Sequence, residues 1–194
     1  MFNENTNFKQ EDNEMVNLQS KAVENHNVHM TGEIIDRIHY ADGHVEERVG
    51  HNLVVNSFLN LVMCLLKQQS GYKGVQYWAV GSGASSWDNS MPTPEIGATR
   101  LTAELGRVPI SASEISFLDS SYNKVSTPTN IIQIEHTFGA NDCNGVWREF
   151  GIFGGNASAT ANSGIMINKR HHAVITKTEE MTVERIMRFT LSLV

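Results

Sequence analysis

The chain has 194 residues, 40% of them hydrophobic, which suits one globular domain or one domain with an arm. Its 21 acidic side chains outnumber the 15 basic ones and give a formal net charge of −6. We therefore predict no nucleic-acid partner and no membrane partner, since both would need a basic patch. Four prolines and 15 glycines exclude a collagen-like or proline-rich fibre.

Neither a disulfide framework nor a membrane span is expected from the sequence. The two cysteines, Cys64 and Cys143, are too few for a framework, and we predict that both are reduced. The longest apolar stretch, residues 53–66, is shorter than the roughly 20 residues of a spanning helix and is interrupted by polar side chains. The first residues lack the basic and apolar blocks of a secretory signal, so we expect synthesis in the cytoplasm.

Residues 1–30 form a polar, asparagine-rich segment that we interpret as a flexible or extended N-terminal arm. Neither helical nor strand periodicity is sustained there, so the segment cannot bury enough apolar surface to offset its ordering entropy. Phe2 and Phe8 are candidate interface residues that would dock the arm onto a neighbouring protein; the alternative is a disordered terminus. Five acidic and two basic side chains make the arm suited to a basic or polar protein groove.

Residues 31–194 are predicted to form a β-rich body that begins with a hairpin. The Asp42-Gly43 pair separates the runs 33–40 and 44–49, and glycine accepts the positive φ that a tight turn needs.

A helix is predicted over residues 53–68, with Asn52 as its N-cap. Its apolar positions, listed here, cover a wide face: Leu53, Val54, Val55, Phe58, Leu59, Val62, Leu65 and Leu66. Such a face predicts burial on most sides, by a sheet or by other subunits.

After Gly71 the pattern is typical of short strands and loops. Strands are predicted near residues 75–80, 107–112, 114–118, 131–138, 145–153, 164–175 and 182–194, and a long loop over 81–98. Residues 99–105 fit either a helical turn or an extended run. The fold class is therefore mainly β: an antiparallel β-sandwich-like body, or an antiparallel sheet with a helix packed on it, with one buried helix.

No signature of an enzyme is visible, and we predict no catalytic residue, no cofactor and no metal site. Gly81-Ser82-Gly83 lacks the further residues of a nucleotide-binding loop, and no Gly-x-Ser-x-Gly nucleophile motif occurs. His171 and His172 are adjacent, so on a strand they point to opposite faces and cannot share one metal easily, even if His136 joins one of them. A histidine site shared across a symmetry axis stays open as an alternative.

The pattern of residues 145–155 predicts a central strand, because both faces of such a strand would be largely apolar. Glu149 would then lie in a dry setting on the face of Trp147 and Phe153, where an unpaired carboxylate is costly. We hypothesise a structural ion pair of Glu149 with Arg107, or failing that Arg100, which would pin residues 101–107 to the strand. The alternative is that Glu149 reaches solvent at a strand end.

Three sequence blocks occur in a familiar order. They are YWAVGSG at residues 77–83, TRLTAELGR at 99–107 and NGVWREFGIF at 144–153, and GIMI follows at 164–167. This order resembles the N-terminal attachment module of tail-fibre and minor tail proteins of tailed bacteriophages. There the pattern is Gly-x-Gly, a loop, Leu-x-x-Glu-x-x-Arg and then Glu-x-Gly-Leu/Ile-Phe. The resemblance covers about residues 52–194.

The resemblance implies a virion protein without catalysis that is made in the host cytoplasm, binds other virion proteins and forms a homo-oligomer, a trimer being favoured. Because the chain ends in a strand at Val194, where a fibre would continue into a shaft, we expect a tail, neck or baseplate adaptor or a fibre-attachment component. Trp87, Met91 and Pro92 in the 81–98 loop are interface candidates. The alternative for this loop is that it folds back over its own sheet.

Two other functions stay open. One is a capsid decoration or head-fibre base protein, which the same resemblance allows. The other is a carbohydrate- or receptor-binding β-sandwich, which would need an exposed aromatic platform built from Tyr77, Trp78 and Trp87.

Overall fold

This computed structural model describes residues 27–193. That range contains eleven strands, one α-helix and two short 3₁₀ turns, joined by loops. The strands are β1 (Val28–His39), β2 (Val45–His51), β3 (Leu53–Val54), β4 (Lys73–Gly81), β5 (Glu104–Pro109), β6 (Ile115–Leu118), β7 (Lys124–Val125), β8 (Ile131–Phe138), β9 (Gly145–Gly155), β10 (Ile165–Lys177) and β11 (Thr182–Leu193). The helix α1 spans Ser57–Leu66, and the 3₁₀ turns span Ser85–Asp88 and Ala112–Glu114. Within this range no helix has the length and apolar character needed to cross a membrane.

Two antiparallel sheets carry the core. The six-stranded sheet has the order β2-β1-β11-β8-β6-β7, and the five-stranded sheet has the order β3-β10-β9-β4-β5. Apolar side chains from both sheets meet in one cluster, which includes Ile34, Ile134 and Phe138 from the first sheet and Trp78, Phe150 and Ile152 from the second. The predicted fold class, mainly β with a sandwich-like body and a helix, is therefore confirmed.

The predicted hairpin is confirmed at β1 and β2. Gly43 has a φ of +85°, as the turn requires, and the His44 backbone N–H donates to Asp42 Oδ1 at 2.9 Å. Ile34 and Ile38, four residues apart and therefore on one face of β1, are fully buried.

The predicted start of the helix is wrong. Leu53 and Val54 form β3 and pair with Lys169 and Asn168 of β10, and the Val55 N–H donates to the Ile167 carbonyl at 3.1 Å. The helix begins only at Ser57, so Asn52 is not its N-cap. Sheet pairing with a distant strand overrides the local helical periodicity of residues 53–55.

Within the described chain the sheets bury only one side of the helix, and burial of its other sides by other subunits stays a prediction. Leu61 is buried and joins the core that both sheets share. On the opposite side, Leu59 and Met63 are each 64% exposed and Leu66 is 72% exposed. The helix therefore contributes one side to the core and leaves an apolar side uncovered within the described chain.

Strand β9 is central and buried, as predicted, but its faces differ from the expected alternation. Trp147 lies in the same core cluster as Phe150 and Ile152, whereas Phe153 belongs to a second cluster with Ala79, Leu101 and Met166. The register between β9 and β10 shifts between His171 and Ile175, opposite residues 147–149. This irregularity moves Trp147 away from the face of Phe153.

Candidate interaction surface

The 81–98 loop leaves the end of β4 and is tied to β9. Arg148 Nε and Nη2 each lie 2.7 Å from a carboxylate oxygen of Asp88, and Arg148 Nη1 donates to the Ser82 carbonyl at 3.1 Å. This bidentate pair holds the 3₁₀ turn in a fixed position.

Trp87 connects the same loop to β10. Its ring stacks on His171 with 4.1 Å between centroids, and the His171 Nδ1 lies 2.8 Å from the Pro92 carbonyl oxygen, to which it donates. Gly83 has a φ of +55°, and a Cβ there would fall 2.4 Å from the Trp87 ring. The loop thus folds back onto its own sheet, and Trp87 is half-buried against His171.

The other two predicted loop contacts remain at the surface. Met91 is 42% exposed, and Pro92 is exposed although its carbonyl accepts from His171. Ile96, which the sequence analysis did not single out, is 57% exposed. Its carbonyl accepts the Asn56 N–H at 2.9 Å, which joins the end of the loop to the start of α1.

Leu59, Met63 and Leu66 follow the i, i+4, i+7 spacing and therefore share one side of α1. We call these three residues, together with Ile96 at their N-terminal end, the apolar face. The helix segment Ser57–Leu66 contains no charged residue. Periodicity alone could identify this stripe in the sequence, but it could not tell that the stripe stays exposed.

Glu149 is fully buried behind the loop, on the outer side of the five-stranded sheet. It accepts the backbone N–H groups of Thr102 at 3.0 Å and Ala103 at 2.8 Å, and Lys169 Nζ lies 3.1 Å from Oε2. Burial alone would raise the pKa of Glu149, but the two N–H donors and Lys169 hold it below its ordinary value. The carboxylate is therefore ionised and pins residues 102–103 to β9.

The predicted Glu149–Arg107 ion pair is wrong. Arg107 Nε and Nη2 bind Glu104 at 2.6 and 2.8 Å, and the guanidinium lies 4.6 Å from the centre of the Phe153 ring. The physical reason is strand order: β5 carries Arg107 and is separated from β9 by β4, whereas β10 carries Lys169 and borders β9 directly. The alternative partner, Arg100, contributes its backbone carbonyl, which accepts a hydrogen bond from Lys169 Nζ at 3.2 Å.

The adjacent histidines do face opposite ways, as predicted. His171 lies against Trp87, with its Nε2 3.9 Å from Glu149 Oε2, whereas His172 is buried beside Phe150. His136 is engaged elsewhere, with its Nδ1 2.5 Å from Glu114 Oε1. Among residues 27–193 no group of three His, Cys, Asp or Glu side chains could hold a metal ion.

The three aromatic residues considered for a carbohydrate platform do not lie on one exposed surface. Trp78 is fully buried in the core, and the Tyr77 ring lies 5.5 Å from the Arg107 guanidinium. Trp87 stacks on His171, as described above. The two cysteines, Cys64 and Cys143, are free thiols.

Phe2 and Phe8 lie outside the described residues. Comparisons with family models, with curated proteins and with solved structures found no match for the chain. The resemblance to phage attachment modules therefore stays a prediction that rests on the three sequence blocks.

Proposed function

We propose that this protein is a non-enzymatic structural component of a phage particle, an adaptor or fibre-attachment protein of the tail, neck or baseplate that binds other virion proteins. The observation that carries the proposal is the apolar face. Its three helix residues, Leu59, Met63 and Leu66, are between 64% and 72% exposed. The helix that carries them has no charged side chain. The order of the three sequence blocks, which resembles that of phage attachment modules, is our reason for proposing a phage particle.

Burial of such side chains favours association and works against the entropy cost of binding. Covering one large aliphatic side chain contributes about 1.5–3 kcal/mol, and Met and other apolar residues are enriched in the centres of protein interfaces. Single exposed apolar residues are ordinary, but a contiguous stripe on one helix marks a contact surface.

A second copy of this chain is the occupant that fits the face. Because α1 has no charge, the face can pack against its own symmetry mate without like-charge repulsion. Most soluble oligomers are closed and symmetric, and the resemblance favours a trimer. The N-terminal arm and the part of the 81–98 loop before Ile96 are then left for contacts with other virion proteins.

The location of the protein in purified phage particles tests the proposed function. We expect an antibody against residues 27–193 to label intact particles from the producing host at one fixed position, with a fixed copy number per particle. Labelling at the tail, neck or baseplate supports the proposal, labelling on the head replaces it with the capsid decoration or head-fibre reading, and absence from particles contradicts both.

Deletion of residues 1–26 tests the N-terminal arm separately from the apolar face. The deletion ends before β1 begins at Val28, so the body should fold and oligomerise while incorporation into particles is lost. Normal incorporation of the truncated chain would show that the arm is not a binding element.

A further inference from the structure

Five polar side chains face one another between the two sheets, on the side where β2 lies opposite β10. Asp36 on β1 has Arg48 of β2 as its register partner, and Arg185 of β11 binds it from the other side. Arg170 and His172 come from alternate positions of β10, and the positive charge of Arg170 acts on Asp36. We call these five residues the arginine layer.

Two of the three arginines have carboxylate partners. Arg185 is fully buried, and its Nε and Nη2 lie 2.5 and 2.9 Å from the two oxygens of Asp36. Arg48 Nε lies 2.7 Å from Glu46, and Arg48 Nη1 also donates to the carbonyls of Ala173 and Val174, both at 3.1 Å. These two cations are therefore matched by Asp36 and Glu46.

Arg170 is the third cation, and among residues 27–193 no carboxylate lies within ion-pair distance of it. Its Nη1 is buried and has no hydrogen-bond partner in that range. The guanidinium lies against Gly50 of β2, where a Cβ would fall 2.3 Å from Arg170 Nη2. The absence of a side chain at position 50 thus makes the room in which this charge sits.

Two more buried atoms of the layer lack partners. Arg185 Nη1 and His172 Nε2 make no hydrogen bond within the described chain, and both residues are more than nine-tenths buried. An unpaired guanidinium that is partly removed from water is costly, and desolvation lowers the pKa of Arg170. Water could satisfy the free N–H groups, but it would not balance the excess positive charge.

We infer that the arginine layer binds one small monovalent anion of halide size, held by Arg170 and the free Nη1 of Arg185. One such anion supplies the acceptor that both guanidinium groups lack and neutralises the single excess positive charge. Arg170 is only half-buried, so the site can be reached from solvent at the β2 and β10 side of the sandwich. This site is independent of the apolar face and of the proposed function.

Thermal unfolding in chloride and bromide tests the site. At constant ionic strength, replacing sodium gluconate with sodium chloride or bromide should raise the Tm of the full chain by about 3 °C when the halide reaches roughly ten times its Kd. Arg170→Met should remove this increase, because it deletes the unpaired cation. The matched control Arg148→Met deletes an arginine that is paired with Asp88 and should keep the increase.

A second variant keeps the result decisive if Arg170→Met folds poorly. Gly50→Ala retains every charge but places a methyl group where the Arg170 guanidinium lies, so it should also lose the halide response. In crystals soaked in bromide, an anomalous peak should appear beside Arg170. An equal halide response in wild type and both site variants, or no bromide at that position, would overturn the inference.

Discussion

His172 shows how burial fixes a protonation state. The residue is 6% exposed, its ring centre lies 6.1 Å from that of Phe150, and its Nδ1–H donates to the Ala173 carbonyl at 2.8 Å. Burial first, and then the positive charge of Arg185, lower its pKa from 6.5 to about 3. The native imidazole is therefore neutral across the range in which an unfolded histidine takes up a proton.

The lowered pKa of His172 predicts that the free energy of unfolding is smaller at acidic pH. Below about pH 6.5 the unfolded chain binds a proton at His172 that the native chain does not bind until about pH 3, so the free energy of unfolding falls as pH decreases through that window. Between pH 7 and 5.5 the loss from this residue should be about 1 kcal/mol. Urea unfolding at both pH values measures it.

His172→Asn is the matched test, since an amide keeps the donor for Ala173 but does not titrate. The variant should lose about 1 kcal/mol less than wild type over the same interval. An unchanged pH dependence in His172→Asn would show that another group causes it.

At the scale of elements, a buried carboxylate attaches an irregular segment to a sheet. Glu149 on β9 holds residues 102–103 through their backbone N–H groups, and Lys169 on β10 binds both Glu149 and the side-chain oxygen of Thr102. Arg107 and Glu104 form a separate pair two strands away from β9. Glu149 therefore holds the segment before β5, whereas the Arg107–Glu104 pair lies within β5 itself.

A double-mutant cycle distinguishes these two interactions. Glu149→Gln should destabilise the fold by about 3 kcal/mol, because it leaves Lys169 unpaired in a buried position. Its coupling with Lys169→Met should exceed about 1 kcal/mol, and its coupling with Arg107→Met should stay within about 0.5 kcal/mol. Chemical denaturation of the single and double variants measures both, and a larger coupling with Arg107 would contradict the contacts described here.

The same elements show what a sequence can predict. Residues 131–138 were predicted as a strand with the bounds that β8 has, because alternation and turn residues act locally. The start of α1 was misplaced because residues 53–55 pair with β10, more than 100 positions away. The partner of Glu149 was missed for a related reason: choosing Lys169 over Arg107 requires the order of strands in the sheet, which local patterns do not contain.

At the scale of the whole molecule, the two surfaces differ in chemistry. The outer side of the six-stranded sheet is crossed by ion pairs between neighbouring strands, such as Arg37 with Glu184 and Arg188 with Glu33. Such exposed pairs contribute little stability, but they keep that side hydrated. The apolar face on α1 has the opposite character, and this contrast supports our proposal that it is a surface for association.

The mass of the protein in solution tests the central claim most directly. By light scattering, the full chain should show a closed oligomer, with three chains of 21.6 kDa each as the favoured state. Met63→Glu with Leu66→Glu should give a folded single chain, because two charges would be buried at the contact. Val49→Glu, at an apolar position on β2 that is 57% exposed, should retain the oligomer. A wild-type protein that stays a monomer at high concentration, or an oligomer that survives the double variant, would contradict the account.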